Sequence, residues 1–203
     1  MKSTRTLALT ALLGLAAVSM AGIPGRTNGT LTSSGTAWRN YLTPTSFCWA
    51  FDDKFLSLTN QGYNPEEGQN HQVACLNFYN RANTFATTGT LMADAALTLI
   101  YNVPTGPAIS ATFNVHGDYD NATNCWRFTI PTNTQSFVSG NRTYTVQLTG
   151  IGSVGQTASD LCAPAPGQTL TQCIYAQINS TPEPGTMAAL GLGGLALIRR
   201  KKK

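Results

Sequence analysis

The densest run of potential ligands is His116-Gly117-Asp118-Tyr119-Asp120-Asn121-Ala122-Thr123-Asn124. Asp118, Asp120, Asn121 and Asn124 offer side-chain oxygens within one short stretch, and oxygens are the donors that Ca²⁺ takes. An EF-hand would need an oxygen ligand at position 122, a glycine after it and a distal Glu; Ala122, Thr123 and the missing Glu exclude it. The plainer reading is a solvated turn in which Asp and Asn side chains bond their own backbone. That reading is preferred, and no metal or other cofactor is expected. Glu66 and Glu67 could pair as glycosidase carboxylates, but adjacent residues on an extended chain point apart, so a turn is expected. Trp38, Trp49 and Trp126 could stack on a sugar, although tryptophans in strands more often fill a core. The histidines are His71 and His116. Nothing in the chain brings a nucleophile, a base and an orienting group together, so the chain reads as a non-enzyme.

The five cysteines, Cys48, Cys75, Cys125, Cys162 and Cys173, allow at most two bridges and one free thiol. The pairing chosen from sequence is Cys48 with Cys75 and Cys162 with Cys173, the second closing the Pro/Gly-rich loop Ala163 to Gly167. Cys125 is then the odd residue, a buried thiol without a base to activate it. With no Cys-x-x-Cys, neither a zinc ribbon nor a thioredoxin-type site is supported.

The elements that would carry these residues read as strands. Leu97, Leu99, Tyr101 and Val103 alternate with Thr98, Ile100 and Asn102. After the breaker Pro104-Thr105-Gly106-Pro107, Ile109, Ala111, Phe113 and Val115 alternate with Ser110, Thr112 and Asn114. Period two on both sides of a short turn predicts a β-hairpin. Trp126 to Ile130, Thr143 to Leu148 and Ile174 to Ile178 alternate in the same way, and Phe47 to Phe51, Lys54 to Leu58 and Val73 to Tyr79 are further strands. No helical period is sustained in this region. Short strands between Gly/Pro/Asn loops predict an all-β chain, an antiparallel β-sandwich of Ig-like or jelly-roll-like kind, over residues 38–178. Gly22 to Ala37, rich in Gly, Ser and Thr, is expected to be flexible. Residues 179–181 read as a linker.

The two ends of the chain say where it goes. Residues 1–21 form a signal peptide: Lys2 and Arg5, an apolar core from Leu7 to Val18, and Ser19-Met20-Ala21 with cleavage after Ala21 by signal peptidase. At the other end, Pro182-Glu183-Pro184 precedes an apolar run, Met187 to Ile198, and the basic cluster Arg199, Arg200, Lys201, Lys202 and Lys203. A basic cluster stays on the cytoplasmic side of a span, so everything before it lies outside. Helix 187–198 would measure about 18 Å against a hydrocarbon layer of about 30 Å, which suits a transient anchor. The two prolines keep the tripeptide extended and accessible. The formal charge of +4 resides in these ends. Between Gly22 and Thr181 six basic residues face eight acidic ones, so the basic footprint of a nucleic-acid binder is absent.

Tripeptide, Gly/Leu/Ala-rich span and basic tail together resemble the PEP-CTERM sorting signal of Gram-negative bacteria, here residues 182–203. The resemblance implies processing near Pro182, Glu183 and Pro184 by an exosortase, a membrane-embedded transpeptidase-like enzyme. A second resemblance covers most of residues 30–180. Gly89-Thr90 before the strand at Ala95, the acidic loop after Phe113-Asn114-Val115-His116, the strand Asn141 to Gly150 and the closing Cys173 to Ile178 look like the choice-of-anchor K domain. That family implies location and a β-rich fold, not an activity. The expectation is an exported cell-surface or matrix protein with a structural or adhesive body. The alternative is a carbohydrate-binding module, with or without Ca²⁺ at Asp118 and Asp120, whose partner would be extracellular polysaccharide.

Overall fold

A computed structural model describes residues 22–37, 39–50, 52–82 and 88–183. These residues form two antiparallel sheets packed face to face. One sheet has six strands in the order β13 (Ala158–Cys162), β9 (Cys125–Thr129), β8 (Ile109–Asp120), β7 (Leu91–Tyr101), β1 (Gly25–Gly35) and β5 (Gly62–Tyr63). The other runs β10 (Thr134–Ser139), β11 (Arg142–Ile151), β14 (Gln168–Pro182), β6 (Asn70–Asn80), β4 (Lys54–Asn60), β3 (Ser46–Trp49) and β2 (Arg39–Thr43), with β12 (Ser153–Val154) on β11.

The expected hairpin is the backbone of the first sheet. β7 and β8 pair from Met92 opposite Asp118 to Tyr101 opposite Ile109. Their inward rows, Leu91, Ala93, Ala95, Leu97, Leu99 and Tyr101 against Ile109, Ala111, Phe113, Val115 and Tyr119, are all buried, as side-chain alternation on a half-buried strand requires. Val146, Leu148, Ile174, Ala176 and Ile178 bury from the facing sheet. At one end of the sandwich the core is aromatic: Trp49 lies 5.5 Å from Trp126 and 5.3 Å from both Phe78 and Tyr119. Trp49 and Trp126 are therefore core residues, not a sugar platform; Trp38 lies outside the described residues.

Three expectations are corrected. The stretch 22–37 is not flexible: every residue from Gly25 to Gly35 has a register partner on β7, making β1 an interior strand. Of its inward positions, Thr27 is polar and Gly29 has no side chain, so Leu31 alone cannot display an apolar alternation. The site is tight: a Cβ at Gly29 would come within 2.6 Å of Asn60 Oδ1 and 2.7 Å of Leu58 Cδ2, so those side chains would have to shift to admit one. Residues 179–181 are not a linker but part of β14, which continues to Pro182, so the sandwich extends beyond 38–178 on both sides.

The disulfides also differ from expectation: Cys75 pairs with Cys173 and Cys125 with Cys162. Each pair sits directly opposite on neighbouring antiparallel strands. Cys162 and Cys173, close in sequence, belong to different sheets. β4 separates Cys48 from the strand of Cys75, and two strand spacings of about 10 Å exceed the reach of a disulfide. The free thiol is thus Cys48, not Cys125, and it is buried. The leader, the cleavage point at Ala21 and the apolar span 187–198 lie outside the described residues.

Candidate functional site

The run His116–Asn124 is a strand end and a tight turn. Asp118 and Asp120 point outward from β8, on either side of the inward Tyr119. Asp120 accepts from the Ala122 backbone N–H at 2.9 Å and the Thr123 hydroxyl at 2.8 Å, and these donors hold its carboxyl below the usual range. Asn121 donates its amide to the Gly89 carbonyl at 2.6 Å. Asn124 adopts φ 54° and accepts from the Tyr119 hydroxyl through Oδ1. Three of the four candidate ligands are thus already engaged: Asp120 in the Asx-turn expected of it, Asn124 with a side chain five residues back, and Asn121 with the Gly89 loop. Among the described residues no group of three or more His, Cys, Asp or Glu is placed to hold a metal ion.

His116 stands on the same outer face between two carboxylates. Nδ1 is 2.7 Å from Asp94 Oδ1 and Nε2 is 3.4 Å from Asp118 Oδ1. The bond to Asp94 leads in raising its pKa, with Asp118 helping. An imidazole with an acid at each nitrogen favours holding its proton. Cys48 is equally ill suited to nucleophilic work. Its thiol faces Asp52 Oδ1 at 2.7 Å, and burial, reinforced by that carboxylate, pushes its pKa up to about 11. Thiolate is the reactive form.

The other end of the sandwich is organised around the last strand. β14 runs between β11 and β6, but its pairing with β6 stops at Gln177 opposite Asn70. From there the loop ahead of β6 takes over the exposed edge. The Gly68 N–H donates to the Ile178 carbonyl at 2.8 Å, and Gln177 Nε2 donates to the Gly68 carbonyl. The Ser180 N–H donates to Glu67 Oε1 at 2.5 Å. Arg142 Nη1 approaches Glu67 Oε2 at 3.5 Å, with both side chains mostly covered. On the β11 side, Pro182 lies opposite Arg142 and the Glu183 N–H donates to the Asn141 carbonyl at 3.1 Å.

The chain's first described residues are at this same end. The Ile23 N–H bonds the Pro65 carbonyl at 2.7 Å, and the Asn102 N–H bonds the Pro24 carbonyl at 2.8 Å. The hairpin loop after Tyr101 docks on the turn before β11: the Ser139 hydroxyl donates to the Pro107 carbonyl, and Thr105 and Tyr144 share a hydroxyl bond, each 2.8 Å. Behind these loops His71 Nε2 meets the Tyr101 hydroxyl at 2.9 Å, and the Tyr63 ring lies 4.8 Å from the imidazole. Burial lowers the pKa of His71 and pushes that of Tyr63 up to about 12.

Pro182 and Glu183 of the expected motif lie at the end of β14 and just after it; Pro184 and the basic cluster 199–203 lie outside the described residues. Glu66 and Glu67 lie in the expected turn, closed by the Gln69 N–H on the Glu66 carbonyl. The part of Glu67 as a partner of the final strand was not foreseeable, since nothing in either local sequence signals a contact 113 residues apart.

A family model described as the PEP-CTERM protein-sorting motif matches residues 180–203. It begins inside β14, at Ser180. The match supports an exported chain that an exosortase processes after a transient stay in the membrane. It takes in only the last three residues of the sandwich, Ser180 to Pro182; for the rest of the body the likeness to the choice-of-anchor K domain stays an expectation. No curated protein matches the chain.

Proposed function

We propose that the chain is a non-enzymatic surface or matrix protein whose β-sandwich plays a structural or adhesive part. Signal peptidase removes residues 1–21, the span 187–198 holds the chain in the inner membrane, and exosortase acts at Pro182-Glu183-Pro184. The body then passes to the cell surface, the outer membrane or the extracellular polymer. The observation that carries this is the continuity of the sorting motif with β14, which makes the whole sandwich the cargo. Two disulfides support export, because such bridges persist in oxidising compartments. A buried Cys48 thiol facing Asp52 is a poor nucleophile, which is consistent with a body without turnover. The test is to fractionate cells and matrix from wild-type and deletion strains, scoring where the sandwich resides and whether matrix cohesion falls without it. Turnover of a polysaccharide or peptide by the purified body, lost on changing one specific residue, would overturn the reading.

One surface favours a second reading, carbohydrate binding. On the outer face of the larger sheet, Phe55 and Tyr79 form a ring pair at 5.7 Å. Beside them runs a polar row in which Asn77 donates to Thr59 at 2.9 Å and accepts from Thr171 at 2.8 Å. An aromatic face next to an amide and hydroxyls is what a sugar ring uses. Retention on an insoluble polysaccharide that Tyr79→Ala abolishes, without lowering Tm, would select this reading over the first.

A further inference from the structure

The first two residues of the sorting tripeptide are not a free tail: Pro182 is the last residue of an interior strand, and the Glu183 N–H still bonds the turn between β10 and β11. Between Glu183 and the apolar run at Met187 the chain spans no more than about 14 Å even when extended. An enzyme that grips an extended peptide needs its backbone groups. Here those groups are already used on both edges. The Ser180 N–H goes to Glu67, the Glu183 N–H goes to Asn141, and Pro182 has no N–H to give.

We propose that Glu67 is a positioning residue for processing: its carboxylate clasps the strand end that leads into Pro182-Glu183-Pro184, and exosortase acts on the strand once that end has peeled from the sheet. This rests on processing at the motif and not on the role of the body. The clasp occurs where β6 has not yet begun, so a side chain stands in for a neighbouring strand. Arg142 fixes the carboxylate from the β11 side, linking the two edges of the strand through one residue. A charged acceptor makes this the strongest type of bond on that edge, and its removal loosens the β6-side edge of the strand end while the pairing with β11 and the apolar core stay in place.

The test uses the full chain, expressed in cells that carry the cognate exosortase, with processing followed by pulse-chase and the cut located by mass. Glu67→Ala should be processed about tenfold faster, the order expected for losing one charge-assisted hydrogen bond from the closed state. Glu67→Gln, which keeps the shape but not the charge, should fall between it and wild type. Six Gly/Ser residues inserted between Thr181 and Pro182 leave the clasp and the sandwich whole but move the tripeptide off the sheet. This variant should be processed as fast as Glu67→Ala, at the same peptide bond, which a merely destabilised body would not explain. Unchanged or slower processing of the insertion variant would overturn the proposal and point to an enzyme that docks on the folded end. A wild-type chain that is never cut would remove the processing reading beneath it as well.

Discussion

The two ends of the sandwich are built on opposite plans. At the end away from the sorting motif, Trp49, Trp126, Phe78 and Tyr119 interlock, and Cys125–Cys162 closes the rim. At the sorting end, small loop residues, side-chain bonds and one carboxylate do the holding, with His71, Tyr63 and Tyr101 beneath them. One end is fastened by dry apolar contact and a covalent bridge. The other is fastened by bonds that single substitutions can release. Opening should therefore start at the sorting end. Burial of large rings resists local unfolding, whereas a strand end held by a few polar bonds opens at lower cost.

The largest effect should come from the staples between strands. Cys75–Cys173 closes a 98-residue separation and Cys125–Cys162 one of 37. On chain-entropy grounds their loss costs about 4.7 and about 3.9 kcal/mol respectively. Paired Cys→Ser variants in chemical denaturation check that order, and a larger loss from the shorter loop would mean that the aromatic end depends on its bridge. Next, Trp126→Ala should destabilise the body by about 4 kcal/mol, since it removes a fully buried ring from the aromatic cluster. Glu67→Ala should cost about 2 kcal/mol or less in the same assay, and should raise amide exchange at Ser180 well before it touches β8. If Ser180 and Phe113 exchanged together, the two ends would be one cooperative unit and the contrast would fail.

The smallest effects are in pH dependence, and the two histidines give opposite signs. Burial lowers His71 below the usual value of about 6.5. Its neutral form is the one the fold accommodates, so stability is full above pH 6.5 and is lost as pH falls through the depressed value. His116 is raised by Asp94 and Asp118. Its contribution is full below pH 6.5 and is lost as pH rises through the raised value. His116 is nearly half exposed, so solvent keeps its part small. Tm measured from pH 5 to 8 should show His71→Gln flattening the acid side and His116→Asn removing an acid-side gain.

What was legible in the sequence follows from what is local. The β7–β8 hairpin could be read because large apolar residues alternate on both sides of a Pro/Gly turn. β1 could not, because its inward residues are Thr27, Gly29 and Leu31, and its strand character comes from pairing with β7. The turn at Asp120 was readable because its bonds span two and three residues. The disulfides were not, because register between distant strands decides which cysteines face each other. The sorting motif is contiguous and stood out at once, while the Glu67 clasp depends on two loops that only the fold brings together.

The central claim is that the sandwich is cargo, cut free at the motif that ends its last strand. The most direct measurement is the intact mass of the native protein from the cell envelope and the medium. The account predicts a species lacking residues 1–21 and everything beyond the Pro182-Glu183-Pro184 region, with two disulfides and one free thiol, plus any new anchor as added mass. A mass that still includes Arg199 to Lys203 would contradict it and leave a permanent membrane protein in its place.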